Sequence, residues 1–235
     1  MRRDFVIVSC EHGGNEVPAE YAGLFAGHEA LLATHRGWDL GALQLAREMA
    51  ADLDAPLFAA TTTRLLIDLN RSIGHGQLHS EVTRSLPLRA RRELAAVHYT
   101  PYREKLEAEV AQQIGAGRRV VHIASHSFTP VLRGVVRDAD LALLYDPART
   151  GERAVAAQWL VALRQALPAL RLRRNYPYEG KGDGVMSLLR KRHAEDAYVG
   201  IELEVNQRFV AEGGSAWDQL RQGIVDSLAA GALRN

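Results

Sequence analysis

Phe5-Val6-Ile7-Val8-Ser9-Cys10-Glu11-His12-Gly13-Gly14-Asn15 is an apolar, largely β-branched run that breaks into small and polar residues at a histidine. Arg119-Val120-Val121-His122-Ile123-Ala124-Ser125-His126-Ser127-Phe128-Thr129-Pro130 repeats that pattern later in the chain. An apolar run without alternation is expected of a strand covered on both faces by helices. Open α/β sheets bind ligands outside the carboxyl ends of their strands. Two histidines delivered to that edge point to a metal site, and hence to a hydrolase.

Around these segments, strand and helix patterns alternate. Residues 13–37 are punctuated by Gly and Pro, with a short helix expected near 28–34. Leu40, Leu43, Ala46, Met49 and Leu53 recur at helical spacing and predict a helix over 38–53, with Asp39 at its start. Residues 56–60 and 64–69 read as short strands around Thr61-Thr62-Thr63, and 70–86 as an aperiodic excursion. A helical region is predicted over 87–115, interrupted at Thr100-Pro101 because proline disfavours a helical residue before it. Strands at 140–145, 169–174 and 198–205 then alternate with helices at 152–166, 184–192 and 215–231. The glycine-rich stretch from Asn175 to Gly184 is a candidate lid. This order predicts a three-layer α/β fold, with residues 1–235 as a single domain.

Composition narrows the function classes. A net charge of +1 excludes a global field that would favour nucleic acid or a membrane surface. The clusters Arg89-Ala90-Arg91-Arg92 and Arg171-Leu172-Arg173-Arg174 are local, and the first is followed by glutamates, as on a solvated helix face. Cys10 is the only cysteine, so no intramolecular disulfide forms, and its apolar setting predicts an inert thiol. No apolar run reaches the length of a membrane span, and Met1-Arg2-Arg3 precedes a stretch too short for a signal peptide. A cytoplasmic location is expected.

Catalytic zinc sites use three protein ligands and leave a fourth position for water. His12 and His126 are the first two candidates. His122 shares a strand face with His126 but lies ~7 Å back along the strand, which predicts a core or supporting role. For the third ligand, Glu11, Glu16 and Asp39 remain open on spacing alone. Gly13-Gly14 removes side chains beside His12 and would let a substrate approach closely. Asn70-Arg71 follows Arg64-Leu65-Leu66-Ile67-Asp68-Leu69, and an Asn–Arg pair suits a substrate carboxylate. The competing reading is an internal ion pair, such as Arg64 with Asp68. In Gly200-Ile201-Glu202-Leu203-Glu204-Val205-Asn206-Gln207, Glu202 and Glu204 point to one face, where either would serve as a general base beside a metal.

Together these residues give the chain its resemblance to the N-formylglutamate amidohydrolase family. The matching elements, in order, are Ser9–Asn15, Gly37-Trp38-Asp39-Leu40-Gly41-Ala42, Ile67-Asp68-Leu69-Asn70-Arg71, Ser125–Pro130 and Gly200–Gln207. The resemblance implies a phosphorylase/hydrolase-like fold similar to zinc carboxypeptidases and aspartoacylases, with helices on both faces of a mixed, mostly parallel sheet. It implies hydrolysis of a formyl or acyl amide on an amino acid. The carboxypeptidase pattern has a glutamate three residues after its first histidine. Here that position is Asn15, and the amidohydrolase motif makes Asp39 the preferred carboxylate.

The resulting expectation is a zinc enzyme acting on a small acyl-amino acid, with N-formyl-L-glutamate as the expected substrate. His12, Asp39 and His126 would hold Zn2+ (or another divalent metal). Glu204 would be the base, with Glu202 beside it. Asn70, Arg71 and Arg64 would bind substrate, and Tyr176 and Tyr178 would close over it. The rival readings are a metallocarboxypeptidase or aspartoacylase-like deacylase, and a metal-dependent binding module without chemistry.

Overall fold

The computed structural model describes residues 4–228 and 230. In chain order its elements are β1 (Asp4–Cys10), α1 (Glu29–Leu32), α2 (Ala42–Asp52), β2 (Leu57–Ala59), α3 (Leu88–Leu94) and α4 (Thr100–Gly115). There follow β3 (Arg119–Phe128), β4 (Val131–Leu132), β5 (Val135–Val136), β6 (Leu141–Leu144), α5 (Thr150–Ala166), β7 (Leu172–Arg174) and α6 (Val185–Arg192). Strand β8 (Tyr198–Asn206) leads to α7 (Arg208–Glu212) and α8 (Gly214–Ser227). The end of the helix expected over 215–231 touches residues 229 and 231, which lie outside the described residues.

The main sheet has six strands in the order β2-β1-β3-β8-β6-β7. All neighbouring pairs are parallel except β6 with β8, so the sheet is mixed and mostly parallel, as expected. Helices α2, α5 and α8 cover one face, where Leu45, Met49, Trp159, Leu160 and Ile224 meet Val8, Ile123 and Ile201. On the other face, Leu106 and Val110 of α4 and Met186 and Leu189 of α6 pack on Ile7, Val120 and Ala124. Burial on both faces explains why β1 and β3 read as continuous apolar runs. Cys10 is fully buried in the first of these layers, and burial raises its thiol pKa well above the ordinary value. Among the described residues, no helix is long and apolar enough to cross a membrane.

Three sequence expectations are corrected. Residues 64–69 form successive turns instead of a strand, with Leu66 N–H on Thr63 O at 3.0 Å and Arg71 N–H on Asp68 O at 3.2 Å. Leu65, Leu66, Ile67 and Leu69 are all buried, in a satellite core with Phe25, Leu78, Leu94 and Tyr99. Continuous burial there comes from that core and not from a sheet. Second, Thr100-Pro101 does not interrupt the helix. A π-helical turn over Ala95–Tyr99 joins α3 to α4 and seats Pro101 in the first turn, where a missing N–H costs little. Third, helix α2 begins at Ala42, so Asp39 stands in the preceding loop, its N–H bonded to His12 O at 2.9 Å.

Candidate active site

The carboxyl ends of β1 and β3 deliver His12 and His126 to the same edge, with ring centroids 5.3 Å apart. The loop before α2 brings Asp39 between them. Its Oδ2 lies 2.8 Å from His126 Nδ1 and 3.4 Å from His12 Nδ1. Each imidazole also faces a second carboxylate at its outer nitrogen, and for His12 the contact is a hydrogen bond. His12 Nε2 meets Asp68 Oδ1 at 2.7 Å, and His126 Nε2 meets Glu11 Oε2 at 3.3 Å. Tyr102 donates to Glu11 Oε1 at 2.8 Å, and Arg64 bridges Asp68 (2.7 Å) and Asp39 (3.3 Å).

The charges are strongly coupled. Burial pushes the Asp39 and Asp68 carboxyls upward, but facing His12 and Arg64 holds both below the usual range. Glu11 is likewise fully buried, yet its bond to His126 brings it down to about 2. Burial disfavours the His126 imidazolium, and the bonds to Asp39 and Glu11 outweigh it and raise the pKa. Glu204 behaves differently. Burial dominates and raises it to about 8, and its Oε2 has no hydrogen-bond partner. Glu202 is raised in the same direction by the same cause.

These groups open onto a cavity of about 570 Å³. Its walls include Asn70, Arg71, Tyr178, Glu202 and Glu204 beside the histidines. In the β3–β8 register Glu204 is opposite His126, and Glu202 opposite Ala124. Arg71 donates to Asp183 O at 2.7 Å through one terminal nitrogen, while its buried Nε has no partner. Asn70 Oδ1 accepts the Val185 N–H at 2.9 Å.

His12, Asp39 and His126 could hold a metal: one ligand atom from each lies within 4.8 Å of the others. The donor set fits. Buried His12 Nδ1 has no hydrogen-bond partner, and it turns toward Asp39 as His126 Nδ1 does. Two donors ~2.0–2.1 Å from one tetrahedral ion stand on the order of 3 Å apart, close to the observed spacing.

A model of the N-formylglutamate amidohydrolase family matches residues 5–211. The chain belongs to this family. Its members act on an amide bond, so the protein is an amidohydrolase. The amidohydrolase superposes on the gene product Atu2144 of Agrobacterium tumefaciens with a TM-score of 0.78 and 25% identity, covering 97% of this chain and 92% of that one. It is similar in fold to the N-formylglutamate amidohydrolase of Ralstonia eutropha JMP134, with a TM-score of 0.72, 19% identity and coverage of 98% and 93%. No curated protein matches it by sequence.

Against the sequence reading of this amidohydrolase, the structure brings together His12, Asp39, His126, Arg64, Asn70, Arg71, Tyr178, Glu202 and Glu204. Tyr176 does not join them: its hydroxyl accepts the Asp138 N–H at 2.9 Å, away from the cavity lining. Glu16 is also elsewhere, accepting from Thr61 Oγ1 at 2.6 Å. Gly13 and Gly14 are needed for a different reason than substrate access. A Cβ at Gly14 would lie 2.5 Å from Thr61 O, and one at Gly13 2.9 Å from Ala60 O, so the glycines admit neighbouring backbone. His122 is in the core, between Tyr198 Oη and Ser9 Oγ at 2.8 Å each. Sequence reasoning missed the orienting roles of Asp68 and Glu11. The signal was present, since histidine ligands commonly carry a carboxylate on the other nitrogen.

Proposed function

We propose that the chain is a zinc-dependent amidohydrolase that cleaves N-formyl-L-glutamate to formate and L-glutamate. The observation that carries this reading is the His12–Asp39–His126 cluster, with Asp68 bonded to the outer nitrogen of His12 and Glu11 facing that of His126, at the cavity that holds Glu204. Membership of the N-formylglutamate amidohydrolase family supports the choice of acyl group and amino acid. The main sheet and its helical layers draw on elements from Asp4 to Ser227, which supports reading residues 1–235 as one catalytic domain.

His12, Asp39 and His126 would hold the ion. When bound, zinc supplies Lewis acidity, polarising the acyl carbonyl and lowering the pKa of a water. The chain does the rest. Glu204 accepts the proton of the attacking water on its free Oε2 and returns it to the amine nitrogen as the C–N bond breaks. The charge of His126 opposes the burial that raises Glu204 but leaves the carboxyl at about 8, and a cation held by the cluster would shift it further toward the carboxylate form. Arg71 offers its unpartnered Nε, and one terminal nitrogen fixed by Asp183 O orients the plane for a substrate carboxylate. Asn70 has committed Oδ1 to Val185, which leaves its amide donors for the same ligand. Arg64 keeps Asp39 and Asp68 ionised and borders the substrate space.

The test couples metal content to product. Protein reconstituted with zinc should contain about one ion per chain and release formate from N-formyl-L-glutamate. His12→Ala and His126→Ala should lose ion and turnover together. Full zinc occupancy in both variants sinks the metal assignment. Release of a terminal amino acid from peptides, without formate from N-formyl-L-glutamate, moves the reading to a carboxypeptidase.

A further inference from the structure

Arg137 is a charge that the chemistry above does not use. It lies just before β6, is 7% exposed, and stands directly behind the cavity wall and not in it. Its guanidinium carbon sits 5.1 Å from the Tyr178 ring centroid and 5.9 Å from that of Phe128, two rings that line the cavity. One terminal nitrogen donates to Tyr178 Oη at 3.1 Å, and the backbone N–H donates to Pro130 O at 2.9 Å. Among the described residues, Arg137 forms no ion pair. Its sequence neighbour Asp138 is paired instead with Arg171 and Arg173.

A buried guanidinium without a counter-charge is costly, and arginine cannot shed its proton to escape that cost. Stacking on two rings fixes its plane, which is the preorganisation a bidentate anion contact requires. Other cations near the cavity are weaker candidates. Arg36 is paired with Glu81 at 2.6 Å in an exposed contact, and Arg84 is exposed. Solvent and salt screen both. His35, on the cavity wall, is depressed first by burial and then by the charge of Arg137, so the Arg137 field reaches the substrate space.

We propose that Arg137 is the specificity-determining residue for a dicarboxylic substrate, binding its side-chain carboxylate while Arg71 binds the α-carboxylate. The inference rests on the amidohydrolase reading above and adds the residue that separates glutamate from glutamine. Tyr178 is then a positioning residue, holding the guanidinium through its hydroxyl and ring.

The experiment measures kcat/KM of zinc-loaded protein for N-formyl-L-glutamate and for its neutral isostere N-formyl-L-glutamine. Wild type should prefer the dicarboxylate. In Arg137→Gln that preference should fall by roughly 10- to 100-fold, the loss expected for a charged hydrogen-bonded contact, mainly through KM. Arg137→Lys keeps the charge without the fork and should give an intermediate ratio, and it serves if the glutamine variant folds poorly. Equal losses on both substrates, or a wild type with no preference, overturn the proposal and leave the amidohydrolase reading intact. Absence of turnover on both substrates defeats that reading instead. Calorimetric titration with L-glutamate and L-glutamine then decides for Arg137: a glutamate preference lost in Arg137→Gln sustains its role, and no preference in wild type overturns it.

Discussion

At the scale of single residues, Glu202 and Glu204 are chemically alike, and register separates them. Both point to one face of β8 and both line the cavity, but Glu204 is the one beside His126. Glu204→Gln removes the basic oxygen with little change of shape. Its kcat should fall by about two to four powers of ten while zinc content and melting temperature hold. Glu202→Gln should lose less rate. Steady-state kinetics that return the reverse order would transfer the base to Glu202. His122 tests the burial of a neutral imidazole. Burial lowers its folded pKa to about 4, below the ~6.5 of an unfolded chain. Between those values the unfolded state binds the extra proton, so this contribution is complete above pH ~6.5 and declines toward pH 4. The loss is on the order of 3 kcal/mol. His122→Gln should start less stable, and its deficit against wild type should shrink over that window in urea denaturation. A pH-independent deficit would show that His122 does not titrate this way.

At the scale of elements, the loop before α6 is clamped to the turns that carry Asn70 and Arg71. Asp183 accepts from Ser72 through both carboxylate oxygens, at 2.6 and 2.9 Å, and its backbone carbonyl holds Arg71 at 2.7 Å. Asn70 Oδ1 caps Val185, the first residue of α6, and packs against Gly184, where any Cβ would stand 2.7 Å from it. The carbonyl contact to Arg71 survives Asp183→Ala, but the clamp that aims it does not. This variant should cost about 1–3 kcal/mol, for lost hydrogen bonds to a charged group, at unchanged urea m-value. KM should rise more than kcat falls. A stability loss with KM unchanged would mean that the clamp serves the fold alone.

At the scale of the whole molecule, a chain of net charge +1 concentrates Glu11, Asp39, Asp68 and Glu204 at one edge of its sheet. A cation bound only by the native state stabilises it by RT ln(1 + [L]/Kd), about 2.7 kcal/mol at a hundredfold excess over Kd. For a chain of this size that is a rise in Tm of roughly 5–10 °C. Zinc should raise Tm by that order, a chelator should reverse it, and His12→Ala should abolish the response. An equal zinc shift in His12→Ala would place the ion elsewhere.

Two properties were legible in the sequence because they are local. Continuous apolar runs ending at His12 and His126 identified buried strands and their ligand-bearing edge, since burial on both faces abolishes alternation. Alternation itself put Glu202 and Glu204 on a common face. The rest depended on contacts between distant segments. Leu65, Leu66 and Ile67 read as a strand because burial alone does not distinguish a sheet from a satellite core. The placing of Glu204 opposite His126, the turning of Asp39 toward both histidines, and the outer carboxylates Asp68 and Glu11 follow from strand register and loop path. Arg137 carries no motif at all. Its setting, buried with no ion pair among the described residues, exists only once the 175–184 loop and Phe128 are packed around it, because a charge becomes uncompensated only when folding removes the water that would otherwise solvate it.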